Sequence, residues 1–223
     1  LKKLLESRSV DFLMSPQPYN VRSFGETYGD MKPFATMKKY NIVPFHEDDT
    51  RTHMGKSGAG HSQAPNAELC VEALRRSMGF NLCRNLPILY IPMPGSYEFP
   101  EARRDFKITQ AVGQHCLEKQ VLRKAEIALI ASEKSVLYSP ANHPYMATGI
   151  IQQSYNPEGK ISLGRRDAVA AFAGDSFGRN YNLWGRLGAP ADYLLAEDIY
   201  DNPGDYKVYV FVNATFADKK LIE

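Results

Sequence analysis

From Leu1 to Lys124 short apolar runs alternate with amphipathic stretches, the pattern of βα units arranged around a parallel sheet. Val10 to Ser15 (VDFLMS) reads as a buried strand, closed by the breakers Pro16 and Pro18. A helix is predicted over roughly Asp30 to Tyr40, and a second strand over Ile42 to Phe45. A long loop follows, Glu47 to Pro65, carrying Gly55, Gly58 and Gly60; connections of this length are commonly functional. Asn66 then offers an N-cap, and Cys70, Leu74, Met78 and Leu82 recur at every fourth position, with Glu68, Glu72, Arg75 and Arg76 on the other side. Ile88 to Ile91 is a third strand and Pro92 to Phe99 a Pro/Gly loop. Pro100 suits the first turn of a helix reaching about Val121, with Ile108, Val112 and Cys116 as its apolar face. Three consecutive βα units fit the closing part of a (β/α)8 barrel, and fit a Rossmann-type sheet as well.

Beyond Lys124 the pattern restarts, which places a domain boundary there. Glu126 to Ala131 (EIALIA) is a fresh strand, and Ser139 to Gly164, rich in Pro, Asn, Tyr and Gly, reads as a surface insertion. Arg165 to Leu187 is a helix candidate weakened by Gly174, Gly178 and Gly185. Asp192 to Leu195 and Tyr206 to Asn213 follow as strands, separated by the turn Asp201-Asn202-Pro203-Gly204, and Ala217 to Glu223 as a helix. With no initiator Met or signal-peptide pattern at Leu1, and a helix still running at Glu223, both ends read as cut.

Composition narrows the function classes. In 223 residues, 27 basic against 25 acidic side chains leave a formal charge of +2, so no bulk electrostatic attraction draws the chain to nucleic acid or an anionic membrane. No apolar run approaches the ~20 residues of a membrane span. Cys70, Cys83 and Cys116 form no CxxC pair and read as small buried hydrophobes rather than a disulfide frame or zinc site. His46, His53 and His61 stand seven and eight residues apart, with no HExxH or zinc-ligand spacing among them, so no metal is expected. Gly55-Lys56-Ser57 lacks the earlier glycine of a phosphate loop, Thr50 standing in its place.

The densest polar run, His46-Glu47-Asp48-Asp49-Thr50-Arg51-Thr52-His53, follows the second strand, where parallel α/β folds build their sites. Carboxylates beside guanidinium and imidazole suit acid/base or nucleophilic work on polar substrates. The plainer expectation is a solvated loop in which Asp48 or Asp49 caps a turn and Arg51 forms a surface ion pair.

The HEDDTRTH run resembles the ENDTRTH stretch of β-galactosidase-like proteins of glycoside hydrolase family 42, and Val10 to Pro16 resembles the barrel strand that precedes it. Leu187-Gly188-Ala189-Pro190-Ala191-Asp192-Tyr193 and Tyr206 to Ala214 are similar to that family's trimerisation domain. The resemblance implies strands six to eight of a (β/α)8 TIM barrel over residues 1–124. It implies most of a flavodoxin-like, class I glutamine amidotransferase-like trimerisation domain over 125–223. It further implies a retaining, two-carboxylate hydrolysis of carbohydrate, with Glu47 as the nucleophile and the acid/base on a fourth strand upstream of Leu1, so that this stretch alone is inactive. Arg51 would hold Glu47 ionised or pair with Asp49 to fix the loop, Asp49 and His53 would orient Glu47 or bind sugar hydroxyls, and Tyr19, Tyr90 and Tyr97 would offer stacking faces. A homotrimer is the implied assembly.

The chain departs from that family where Pro44-Phe45-His46 and Tyr90-Ile91-Pro92 replace positions commonly held by tryptophan, Trp184 being its one Trp. An Asp usual near Pro92 is also missing. Fewer flat aromatic platforms weaken hexose stacking, which keeps open a catalytically silent relative that binds carbohydrate or only assembles. In the second segment Ser132-Glu133-Lys134-Ser135 lacks the glycine and hydroxyl cluster a flavin phosphate needs. Ala214-Thr215 offers no amidotransferase cysteine, so no cofactor is expected. The triplet Asn213-Ala214-Thr215 matches a glycosylation sequon of the kind frequent by chance.

Overall fold

The computed structural model describes residues 1–17, 24–25, 27–30, 32–55, 63–92, 95–119, 124–137, 185–200, 202–212, 214 and 219–222. The expected insertion over 139–164, most of the helix expected over 165–187, and Tyr19 lie outside the described residues. In chain order the elements are α1 (Lys2–Ser7), β1 (Phe12–Pro16), α2 (Phe34–Lys39), β2 (Val43–Asp48), α3 (Ala67–Leu82), β3 (Ile88–Tyr90), α4 (Pro100–Glu118), β4 (Ile127–Ala131), α5 (Glu133–Leu137), β5 (Ala191–Leu195), a 3-10 turn (Ala196–Asp198), β6 (Val208–Phe211) and α6 (Lys219–Ile222). The chain is mixed α/β with two three-stranded parallel sheets, in strand orders β1-β2-β3 and β5-β4-β6. It divides into two compact units: Phe12–Met31 with Val43–Lys124, and Leu1–Asp11 with Lys32–Ile42 and Ala125–Glu223.

In the unit holding β1 to β3, the apolar periodicity of α3 does what its spacing predicts. Cys70, Val71, Leu74 and Met78 are buried, and with Ala64, Phe99 and Ala102 most of these form the core beneath the sheet. The Asn66 side chain accepts a hydrogen bond from Leu69 N at 2.8 Å, satisfying one of the orphan donors at the helix start. Pro100 opens α4 as expected.

The face of α4 differs from the expectation. Ile108 and Val112 are 52% and 42% exposed. The positions withdrawn from solvent are Ala102, Asp105, Phe106, Thr109, Gly113 and Cys116, which recur at helical spacing. Gly113 on that face comes close to α3: a Cβ there would stand 3.7 Å from Met78 Cε. Asp105 is tied to α3 by Arg75, whose Nε donates at 2.6 Å. Close approach of two helices favours small side chains, so counting large apolar residues picks a face rotated from the true one. Of the three cysteines, all free, only Cys70 is buried; Cys83 caps the C-terminus of α3 and is exposed, and Cys116 is intermediate.

In the other unit Ala128, Ile130, Leu194, Ala196 and Ile199 form the core. Leu195 N donates to Thr36 Oγ1 at 2.9 Å and the Phe34 and Tyr193 rings lie 5.2 Å apart, fixing α2 on β5. The turn after β5 collects donors: Asp198 Oδ1 accepts from Tyr40 OH at 2.8 Å and lies 3.6 Å from Lys2 Nζ.

Two outcomes follow from these contacts. Asn66→Ala removes the α3 cap and lowers unfolding free energy by about 1 kcal/mol, read from urea denaturation. Desolvation, with the hydrogen bond to Asp198 next, pushes the Tyr40 phenol from 10.0 up to about 12. The folded chain thus holds a proton that the unfolded chain gives up first, so this contribution is whole below pH 10 and is lost as pH rises toward 12. Tyr40→Phe should flatten that part of the stability profile in alkaline denaturation.

Candidate functional site

The site lies at the C-terminal ends of β1, β2 and β3. Strand β2 runs through Asp48, so Glu47 sits on a strand and not in the loop its neighbours suggested. Successive strand residues point to opposite faces. On β2, Pro44, His46 and Asp48 are buried on the face packed on α3, whereas Val43, Phe45 and Glu47 are exposed or half-buried on the other. Glu47 pairs in register with Pro16 on one side and Leu89 on the other, so these three side chains share a face. That face is apolar around the acid and open: Phe12 is 56% exposed, with Met14, Val43 and Leu89 also exposed. Among the described residues no hydrogen bond or ion pair reaches Glu47, and none joins it to Arg51.

The remaining expected residues occupy the loops above. Asp48 turns back under the sheet, its Oδ1 accepting from Thr50 N at 2.8 Å and so capping the turn there, but it is buried and not on a solvated loop. Asp49 is buried, and Arg51 is half-buried with its carbonyl accepting from Ala64 N at 2.8 Å. His53 is half-buried, its ring edge-on to Phe99 at 4.6 Å. Tyr97 is bound into the rim: its ring packs against Phe106 at 5.3 Å, and its hydroxyl reaches the Ile91 and Thr50 carbonyls at 3.4 and 3.5 Å. Tyr90 closes the same cluster, 4.9 Å from Phe106.

Two loops are joined at a single hydroxyl. Thr52 Oγ1 accepts from Met54 N at 3.3 Å and from Ser96 N at 3.2 Å, linking the segment after β2 to the segment after β3. Gly95 lies against that hydroxyl with φ +123°, a conformation in which a side chain is strained. Gln63 Nε2 donates to the Thr52 and Gly55 carbonyls at 3.2 and 3.1 Å.

The electrostatics are dominated by burial and by the buried Asp48. Desolvation first, and the Asp48 charge second, raise the Tyr28, Tyr90 and Tyr97 phenols well above their ordinary range. Burial pushes the Cys70 thiol up to about 11, which makes it an inert packing residue rather than a nucleophile.

A cluster that sequence patterning missed lies directly beneath Glu47. Tyr28, Asp30, His46 and Ser77 are all buried. The Ser77 hydroxyl donates to Tyr28 OH at 2.8 Å, and Tyr28 OH lies 2.5 Å from His46 Nε2. Asp30 Oδ2 lies 3.6 Å from His46 Nδ1. The one signal available beforehand was a histidine followed by acids at a strand end; nothing local ties position 46 to positions 28 and 77.

Because a Cβ at Gly95 would overlap the Thr52 hydroxyl, Gly95→Ala should destabilise the chain by about 2 kcal/mol or more, seen as a lower urea midpoint. Comparison of the chain with protein-family models, with curated proteins and with solved structures finds no match.

Proposed function

We propose that the chain is the closing part of the barrel and most of the trimerisation domain of a retaining glycoside hydrolase of the family 42, β-galactosidase-like type, with Glu47 as its nucleophile. The observation that carries the reading is the sorting of the HEDD run: His46 and Asp48 are buried against α3, while Glu47 stands on the open face at the strand's C-terminal end, where βα barrels place their catalytic groups.

The topology supports it. The order β1-β2-β3 advances one strand at a time in one direction, as in a closed barrel, with α3 on one face and exposed apolar residues on the other, where a barrel interior would lie. The order β5-β4-β6 reverses about its first strand, as in a flavodoxin-like sheet.

In the proposed reaction the Glu47 carboxylate attacks the anomeric carbon as the glycosidic C–O bond breaks, and the leaving oxygen takes a proton from a second carboxylic acid on an earlier strand. Water, deprotonated by that same group, then displaces Glu47 and regenerates both carboxyls with the anomeric configuration retained. Carboxyl groups about 5 Å apart suit this double displacement. The carbohydrate would enter across the rim formed by Asp49, Arg51, His53 and Tyr97, in a homotrimer held by the second sheet's domain.

In a polypeptide carrying these residues with the remaining barrel strands, Glu47→Gln should lower hydrolysis of an aryl β-galactoside by on the order of a thousandfold or more with an unchanged thermal midpoint. A 2-deoxy-2-fluoro glycoside should add one sugar mass to the peptide bearing Glu47. Unchanged turnover in the variant, or a label on another residue, overturns the assignment.

A further inference from the structure

The mechanism makes no use of the buried cluster beneath Glu47, yet burying four polar side chains together is costly unless each donor meets an acceptor. One proton arrangement serves the Ser77–Tyr28 and Tyr28–His46 contacts together, with the Asn81 side chain also reaching the Tyr28 hydroxyl. Ser77 Oγ donates to the Tyr28 oxygen at 2.8 Å, which leaves the single phenolic proton for His46 Nε2 at 2.5 Å. Nε2 is then an acceptor, so the ring proton sits on Nδ1. That atom meets no hydrogen-bond acceptor among the described residues and faces Asp30 Oδ2 at 3.6 Å, where the carboxylate favours an N–H. Tyr28 lies deep enough that burial and the Asp48 charge hold its proton in place. The Phe80 ring, 4.8 Å from Tyr28 and 6.3 Å from His46, closes the cluster.

We propose that His46 is a positioning residue for Glu47: set between the Tyr28 hydroxyl and the Asp30 carboxylate, with its proton on Nδ1, the imidazole fixes the pitch of β2 at the residue next to the carboxylate. Its backbone N also donates to Pro87 O at 2.9 Å, so this residue is held from its ring and from its main chain at once. Because side chains alternate across a strand, a rotation at position 46 swings position 47 the opposite way. Hydrogen bonds are directional where apolar packing is not, so they fix an angle as well as a depth. The kinetic consequence rests on the hydrolase reading above; the tautomer and the coupling to Glu47 do not.

The test is nitrogen and carbon NMR of the labelled chain, with His46→Gln identifying the His46 signals. The expected result is a protonated Nδ1 and an acceptor Nε2, and a Glu47 carboxyl resonance that moves in Tyr28→Phe while that of Glu118 stays. A protonated Nε2, or an unmoved Glu47 resonance, overturns the proposal. In the active polypeptide, Tyr28→Phe should reduce kcat by about tenfold to a hundredfold with KM within about threefold. The double variant Tyr28→Phe/Ser77→Ala removes the hydroxyl left without its acceptor, so it should recover thermal midpoint without recovering kcat. Recovery of both would reduce the cluster to a structural role and overturn the proposal. Loss of the hydrolase reading would show instead as Glu47→Gln with full turnover, while the NMR outcome stands unaltered.

Discussion

Side chains of a β-strand alternate between two faces, and on β2 this constraint separates groups whose chemistries would otherwise interfere. Asp48 and His46 go beneath the sheet, where Thr50 N meets one carboxylate oxygen and Tyr28 OH one ring nitrogen. Glu47, between them in sequence, goes above, flanked by Pro16 and Leu89. Two carboxylates one residue apart thus occupy unlike environments, one enclosed against α3 and one at an open surface. Slipping the strand by one residue would exchange their places, so the parallel register with β1 and β3 matters as much as the identity of any single side chain.

The loops above the strands are built to match. Thr52, Gly95 and Ser96 bind one connection to the next, and Tyr90, Tyr97 and Phe106 fill the space behind them with aromatic rings. A rim assembled this way is held from below by packing and from the side by main-chain hydrogen bonds. Asp49, Arg51 and His53 are carried on it close to β2 without being on β2 itself.

Much of the framework is legible in the chain. Asn66 and the four-residue spacing from Cys70 to Met78 announce α3 because capping and amphipathicity are local properties, and Pro100 announces α4 for the same reason. The orientation of α4 is not, because the face it withdraws from solvent includes Ala102, Thr109 and Gly113, residues that carry little hydrophobic signal. The candidate site divides the same way. A polar run at a strand end marks where to look, but its three acids read as loop, since polarity conceals strand periodicity. The pairing of His46 with Tyr28, Asp30 and Ser77 joins segments separated by 18 to 49 positions for the two hydrogen bonds involved, beyond the reach of any local pattern.

The open face of the first sheet has a thermodynamic consequence. Heat capacity rises on unfolding in proportion to the apolar surface newly brought into water, and surface already wet in the native state adds nothing. With Phe12, Met14, Val43 and Leu89 hydrated before any strand separates, this polypeptide melts with a shallower stability curve and a smaller urea dependence than its length alone would give.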